Sequence, residues 1–149
     1  MSADEKMMTD VHGNQVTANE ALFNAAWGPY NHDTGRHDPG DVDAAREALK
    51  NGADINCQSD SYFKCNTPLF MAAYQGHPEM VRFLLENGAD KDIEGETEGG
   101  PAGKPIDIAR HKLEKASYPP PRRESRRARK WRIATDRTAQ WTAIVALLS

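Results

Sequence analysis

Cysteine is scarce in this chain of 149 residues, which holds only Cys57 and Cys65. The residues between them do not match zinc-ligand spacing, and the segment before them carries no secretory signal. Both are therefore expected as reduced thiols, with neither a structural disulfide nor a metal site. Long apolar runs are missing too. "LFMAAY" and "AIVALL" are the longest at six residues each, against the roughly 20 that span a bilayer. The opening "MSADEKMMTD" is acidic and has no apolar stretch, so it resembles neither a secretory signal nor an arginine-rich transit peptide. The expected location is cytoplasmic, with the nucleus as the alternative. A hydrophobic content of 38% still supplies one folded core.

Catalytic signatures are absent as well. No nucleophile elbow, phosphate-cradling glycine loop or paired-carboxylate pattern occurs. "WGPYNHDTGRHDPGD" gathers His32, Asp33, His37, Asp38 and Asp41, but without a regular ligand spacing such as His-x-x-x-His. It reads as a polar surface loop of turn formers rather than a metal site. The expectation is a protein that is not an enzyme and needs no cofactor.

What the chain does have is a division of charge. Residues 1–117 hold 11 Lys and Arg against 20 Asp and Glu, whereas residues 118–149 hold 8 against 2, which is −9 beside +6. An acidic body joined to a basic segment suggests parts with different tasks.

It also repeats itself. "GDVDAAREALKNGADIN" (Gly40–Asn56) lies over "GHPEMVRFLLENGADKD" (Gly76–Asp92) at an offset of 36. Each copy reads as a helix closed by Gly52 or Gly88, because glycine takes the left-handed conformation at little steric cost. Met80, Val81, Leu84 and Leu85 share one helical face, as do Ala44, Ala45, Ala48 and Leu49. A partner helix precedes each. "TPLFMAAYQG" has Thr67 as N-cap and Pro68 in the first turn; "VTANEALFNAAWG" has a Thr17/Glu20 capping box, and its "LFNAA" matches "LFMAA".

"TPLFMAAYQGHPEMVRFLLENGAD" resembles an ankyrin repeat, whose signature runs Thr-Pro-Leu-His, two alanines, Gly-His, a short apolar helix and Gly-Ala-Asp over ~33 residues. Thr67, Pro68, Leu69, Ala72, Ala73, Gly76, His77, Val81, Leu84, Leu85, Gly88, Ala89 and Asp90 carry the match. Phe70 departs from it, standing where the family has a histidine, so apolar packing should replace that polar link. The resemblance implies an all-α array of about three helix-turn-helix repeats with irregular ends. The expected repeats are 17–56, 57–92 and 93–118, the last with its second helix at 139–149, after an N-terminal tail at 1–16. It also implies protein binding through loop tips and the inner face of the first helices. Carried over by position, the contacts are Ser61, Tyr62, Phe63 and Lys64 at a loop tip, and Tyr74 and Gln75 after the two alanines. Tyr62 and Phe63 could instead fold back over the neighbouring repeat.

Two insertions interrupt the pattern at the same place in the unit. Trp27–Pro39 adds 11 residues between the helices of the first repeat, and 26 more separate "KPIDIARHKL" from "AIVALL", which overlays "MVRFLL" at an offset of 63. The segment 119–138 is Pro- and Arg-rich, with Arg122, Arg123, Arg126, Arg127, Arg129, Lys130 and Arg132 in one run. Trp131, Ala134, Thr138, Trp141, Val145 and Leu148 recur every three or four residues, which predicts one long basic helix from about Arg122 into the C-terminus. The basic run reads as a solvated face, as an arm for an acidic protein or large assembly, or as a nucleic-acid contact. "RRES" at Arg122–Ser125 also resembles a basophilic kinase site. The expected function is an adaptor or accessory subunit binding another protein with an acidic patch; the alternative is a nucleic-acid-associated factor acting through 122–132.

Overall fold

A computed structural model describes residues 7–10, 13–33, 36–37, 40–58, 66–96, 102–117 and 138–149. Among them run, in order, strands β1 (Met8–Thr9) and β2 (Gln15–Val16), helix α1 (Ala18–Trp27), strands β3 (Tyr30–Asn31) and β4 (Arg36–His37), and helices α2 (Val42–Lys50), α3 (Pro68–Gln75) and α4 (Pro78–Glu86). Strands β5 (Gly95–Glu96) and β6 (Ala102–Gly103) and helices α5 (Pro105–Ser117) and α6 (Thr138–Leu148) complete them.

The helices form two rows. α1 packs on α2, α3 on α4 and α5 on α6, while α3 lies between α1 and α5, and α4 between α2 and α6. Small side chains let the rows approach: Ala25, Ala26, Ala45, Ala48, Ala72 and Ala73 are fully buried. Leu22, Leu69, Met80, Val81, Leu84 and Ile144 fill the space between, while Ala44, Leu49 and Leu85 border it half-buried. Phe83, absent from the expected face, is also buried and carries the Arg46 guanidinium 5.5 Å above its ring.

Each letter of the repeated Asn-Gly-Ala-Asp performs the same task twice. Asn51 and Asn87 donate from Nδ2 to the carbonyls of Glu47 and Phe83 at 2.8 Å, satisfying the last helical turn. Gly52 and Gly88 turn the chain at φ +95° and +87°. The amides of Ala53 and Ala89 then close back on Ala48 and Leu84. Asp54 and Asp90 finish the turn, each accepting from the amide two residues on at 2.9 Å. The turns are also tied to the preceding unit: Asn19 Oδ1 accepts from the Asp54 amide, and Asn56 Oδ1 from the Asp90 amide, both at 2.8 Å.

The first insertion leaves the joint it interrupts intact. In the uninterrupted unit the His77 amide donates to the Ala72 carbonyl at 3.0 Å; in the interrupted one Asp41, which matches His77, donates to Ala25, which matches Ala72, at 3.1 Å. The extra residues leave as the β3–β4 hairpin and return at Gly40, where a Cβ would lie 2.9 Å from the Ala25 carbonyl oxygen and 3.0 Å from Met80 Cε. Gly40 is therefore small for close approach, whereas Gly76 at the matching position takes a left-handed φ of +78°.

Two differences from the sequence reading stand out. The 1–16 tail contains the β1–β2 pair, and β5 and β6 pair between α4 and α5. α6 is shifted by one residue: Trp141, Ile144 and Leu148 are buried and Ala143 exposed, so the burial matches His77, Met80 and Leu84 at an offset of 64 rather than 63. The long basic helix expected from Arg122 is described only from Thr138 onward; its earlier part lies outside the described residues.

Candidate interaction surface

Hydrogen bonds assign the helix ends to two opposite edges. At one edge, which we call the loop edge, Asn66 ahead of α3 grips β5: its Oδ1 accepts from the Glu96 amide and its Nδ2 donates to the Glu96 carbonyl, both at 2.7 Å. The Lys104 ammonium, next to α5, pairs there with Asp92 at 2.9 Å. That hydrogen bond holds the Asp92 carboxyl below its ordinary range and the Lys104 ammonium above its own. At the other edge, the turn edge, α1 and α3 end together. Buried His77 places Nε2 3.1 Å from the Trp27 carbonyl oxygen, which can only accept, so Nε2 carries the proton.

Of the expected contacts, Tyr74 and Gln75 fall among the described residues. Ser61, Tyr62, Phe63 and Lys64 lie outside the described residues, as do Arg122, Arg123, Arg126, Arg127, Arg129, Lys130 and Arg132. Tyr74 and Gln75 are half-buried at the end of α3, and the Lys112 ammonium of α5 sits 3.9 Å from the Tyr74 ring centroid.

Tyr74 belongs to a row. Aligning α1, α3 and α5 on their small residues puts Trp27 after Ala25-Ala26, Tyr74 after Ala72-Ala73 and His111 after Ala109-Arg110, all three half-buried. Behind them Phe23, Phe70, Met71 and Ile108 form an apolar cluster separate from the main core, with Trp27 and Tyr74 packed on it. Phe23 meets Trp27 edge-on, with centroids 6.0 Å apart and planes at 80°. Phe70 is fully buried here, so apolar packing does stand where the repeat signature has its histidine. Trp27, His111 and Lys112 escaped the sequence reading. Their signal was the two positions after Ala25-Ala26, Ala72-Ala73 and the matching Ala109-Arg110, followed for α3 alone.

The His/Asp group in the first insertion is not assembled as a site. His32 and Asp33 are exposed in the hairpin turn, and Asp41 accepts from the Ala44 amide at 3.0 Å as the cap of α2. The His37 side chain and Asp38 lie outside the described residues. Among the described residues no three His, Cys, Asp or Glu side chains gather to hold a metal, and no helix is long and apolar enough to cross a membrane. Cys57 is buried, with Sγ 3.6 Å from the Asn19 carbonyl oxygen. Burial, with the nearby Asp54 carboxylate second, pushes its thiol up to about 12, which keeps it from acting as a nucleophile near neutral pH.

Residues 36–85, about a third of the chain, match a family model described as ankyrin repeats (many copies). Over that span the chain is similar to ankyrin repeats. A search of curated proteins finds no match. Ankyrin repeats generally mediate contacts between proteins and are typically not catalytic. The matched span covers α2, α3 and nearly all of α4, the elements that hold both copies of the Asn-Gly-Ala-Asp turn or lead into them.

Proposed function

We propose that this chain is a non-catalytic interaction module, an adaptor or accessory subunit of a larger complex, built as three ankyrin-type units over 17–56, 57–92 and 93–118 with 139–149. The observation that carries the reading is the row Trp27, Tyr74 and His111. These are large side chains left half-buried at matching positions on three packed helices, with Trp27 and Tyr74 over an apolar cluster of their own. Aromatic groups on a rigid support bury much area on contact and lose little conformational freedom, which is why Trp and Tyr dominate binding hot spots. Gln75 adds a polar group beside Tyr74. The basic run at 122–132 supplies further contacts for a partner with an acidic patch.

The test is affinity capture with the intact chain, followed by identification of partners and comparison with a Tyr74→Ala, Gln75→Ala variant. The expected result is one or a few specific partners whose affinity falls about fivefold or more on removing these side chains, the scale of a hot-spot loss. Unchanged capture by a folded variant would rule these two residues out. Truncation at Ser117 is an unsuitable control, because it removes the buried Trp141, Ile144 and Leu148 of α6 along with the basic run.

A further inference from the structure

We propose that Asn51 is a modification site: in the folded chain it converts spontaneously to aspartate and isoaspartate, well ahead of its counterpart Asn87, and the conversion makes the opening of α2 one-way. Of the eight asparagines in the chain, only these two precede a glycine. That pairing matters because the reaction is intramolecular. The backbone nitrogen of the following residue attacks the asparagine Cγ, and glycine, having no Cβ, hinders the approach least. As the new N–Cγ bond forms, the backbone amide proton passes to solvent and the side-chain nitrogen leaves as ammonia, closing a succinimide ring. Water then opens the ring at either carbonyl. One water is taken up and one ammonia lost, with no redox step.

The fold guards both asparagines in the same way. Ring closure needs the asparagine Cβ and the next amide nitrogen nearly eclipsed about the Cα–C bond, and ψ of 9° at Asn51 and 12° at Asn87 holds them far from that arrangement. The attacking nitrogen is engaged as well. The Gly52 and Gly88 amides donate to the Leu49 and Leu85 carbonyls, both at 3.1 Å. So is the group under attack, since each Nδ2 donates at 2.8 Å to the carbonyl of Glu47 or Phe83. Gly52 and Gly88 are exposed, so water reaches both turns. Conversion therefore waits on opening of the last helical turn.

The two helices differ in what opening costs. α4 buries Met80, Val81, Phe83 and Leu84, lies between α2 and α6, and is joined to α3 through Gly76 and His77 alone. α2 fully buries only Ala45 and Ala48, with Val42, Ala44 and Leu49 half-buried, and residues 28–41 separate it from α1. Two methyl groups thus stand where α4 has four large side chains, and because opening exposes buried apolar area, the open population of α2 exceeds that of α4 by about tenfold or more. Once formed, the new carboxylate resists reclosure. It cannot donate to the Glu47 carbonyl, and because Asn51 Nδ2 stands 3.3 Å from Glu47 Oε1, it faces a second carboxylate as well as the negative end of α2. The tie from the Asp54 amide to Asn19, which joins this turn to α1, loosens with it.

The experiment incubates the intact chain at mildly alkaline pH, beside a sample unfolded in guanidinium chloride, and follows the exchange of NH2 for OH at each asparagine by peptide mapping and mass spectrometry. In the unfolded sample the two sites should convert at similar rates, because each sits in an Asn-Gly-Ala sequence. In the folded chain both should slow, with Asn51 converting about tenfold or more faster than Asn87. Labelling by an isoaspartate methyltransferase should appear at Asn51 first. Equal rates at the two sites of the folded chain, faster conversion at Asn87, folded rates matching the unfolded ones, or an untouched Asn51 while the unfolded sample converts would each overturn the assignment. The Asn51→Asp variant tests the one-way step: it should unfold at lower urea concentration than the parent, and a variant as stable as the parent would refute that step.

Discussion

Gly95→Ala is the most discriminating substitution the fold offers, because two fully buried neighbours leave no room for one methyl group. A Cβ at Gly95 would stand 2.7 and 2.9 Å from two ring carbons of Phe70, and nearer still to Asn66 Oδ1. Neither neighbour can yield. Phe70 is locked in its cluster, and Asn66 makes two hydrogen bonds to Glu96, the residue next to the substitution, besides a weaker one to Met71 Sδ. β5 must therefore move away, and the two bonds from Asn66 lengthen or break. Each is worth about 0.5–1.5 kcal/mol net, and a buried amide left unsatisfied costs about 1–3 kcal/mol, so the loss should be roughly 2–4 kcal/mol. Gly88→Ala is the control. It has nothing within 4 Å of the added carbon and meets only the left-handed φ of +87°, worth about 1 kcal/mol. Urea unfolding followed by circular dichroism at the helix band should rank the two variants in that order. A Gly95→Ala protein within about 0.5 kcal/mol of the parent, or one more stable than Gly88→Ala, would refute the close-approach reasoning.

Three further outcomes are expected. Leu84→Ala, which empties a fully buried position in the middle of the array, should cost about 2–5 kcal/mol in the same assay, and no measurable loss would show the helix face to be misassigned. With Cys65→Ser in place, Cys57 should react with a disulfide reagent at neutral pH only as fast as the chain unfolds. Because its folded pKa of about 12 exceeds the ordinary thiol value of 9.0, its contribution to stability should be complete below pH 9 and decline as pH rises toward 12; fast labelling of the folded chain at pH 7 would contradict that burial. Replacing Arg122, Arg123, Arg126, Arg127, Arg129, Lys130 and Arg132 by glutamine preserves helix propensity closely. It should abolish capture of the partner with little change in the circular dichroism spectrum, and retained capture would remove the basic run from the contact.

How much of this was legible in the sequence depended on how local the cause was. Helix ends were readable because the residue that makes a cap is the residue that occupies it: Thr17 accepts from the Glu20 amide and Glu20 returns to the Thr17 amide, as the capping box implies. The short strands were not, since two residues paired across a turn leave too little alternation to detect. The one-residue slip of α6 has a related origin. Leucine and alanine repeat so closely in "AIVALL" that letter matching cannot choose a register, and only burial against α4 and α5 decides it.

The candidate surface was legible in its parts but not in its arrangement. Tyr74 was singled out, yet nothing along the chain says that it stands in a row with Trp27 and His111 on one edge, with the acidic turns on the other. That relation follows from how helices alternate in direction: each tight turn joins an inner helix's C-terminal end to an outer helix's N-terminal end, and each long loop does the reverse. Once His77 ties α3 to the end of α1, and Asn66 ties the start of α3 to β5, every insertion made at the helix–helix turn must emerge on the same edge. In the sequence both insertions fall at that turn, and the second carries 8 of the chain's 19 Lys and Arg. The long loops on the opposite edge hold the two Asn-Gly-Ala-Asp turns, whose asparagines and aspartates are engaged in closing helices and tying units together. The turn edge gathers the half-buried rings of Trp27 and Tyr74 instead. This is the physical reason to seek the partner at the turns.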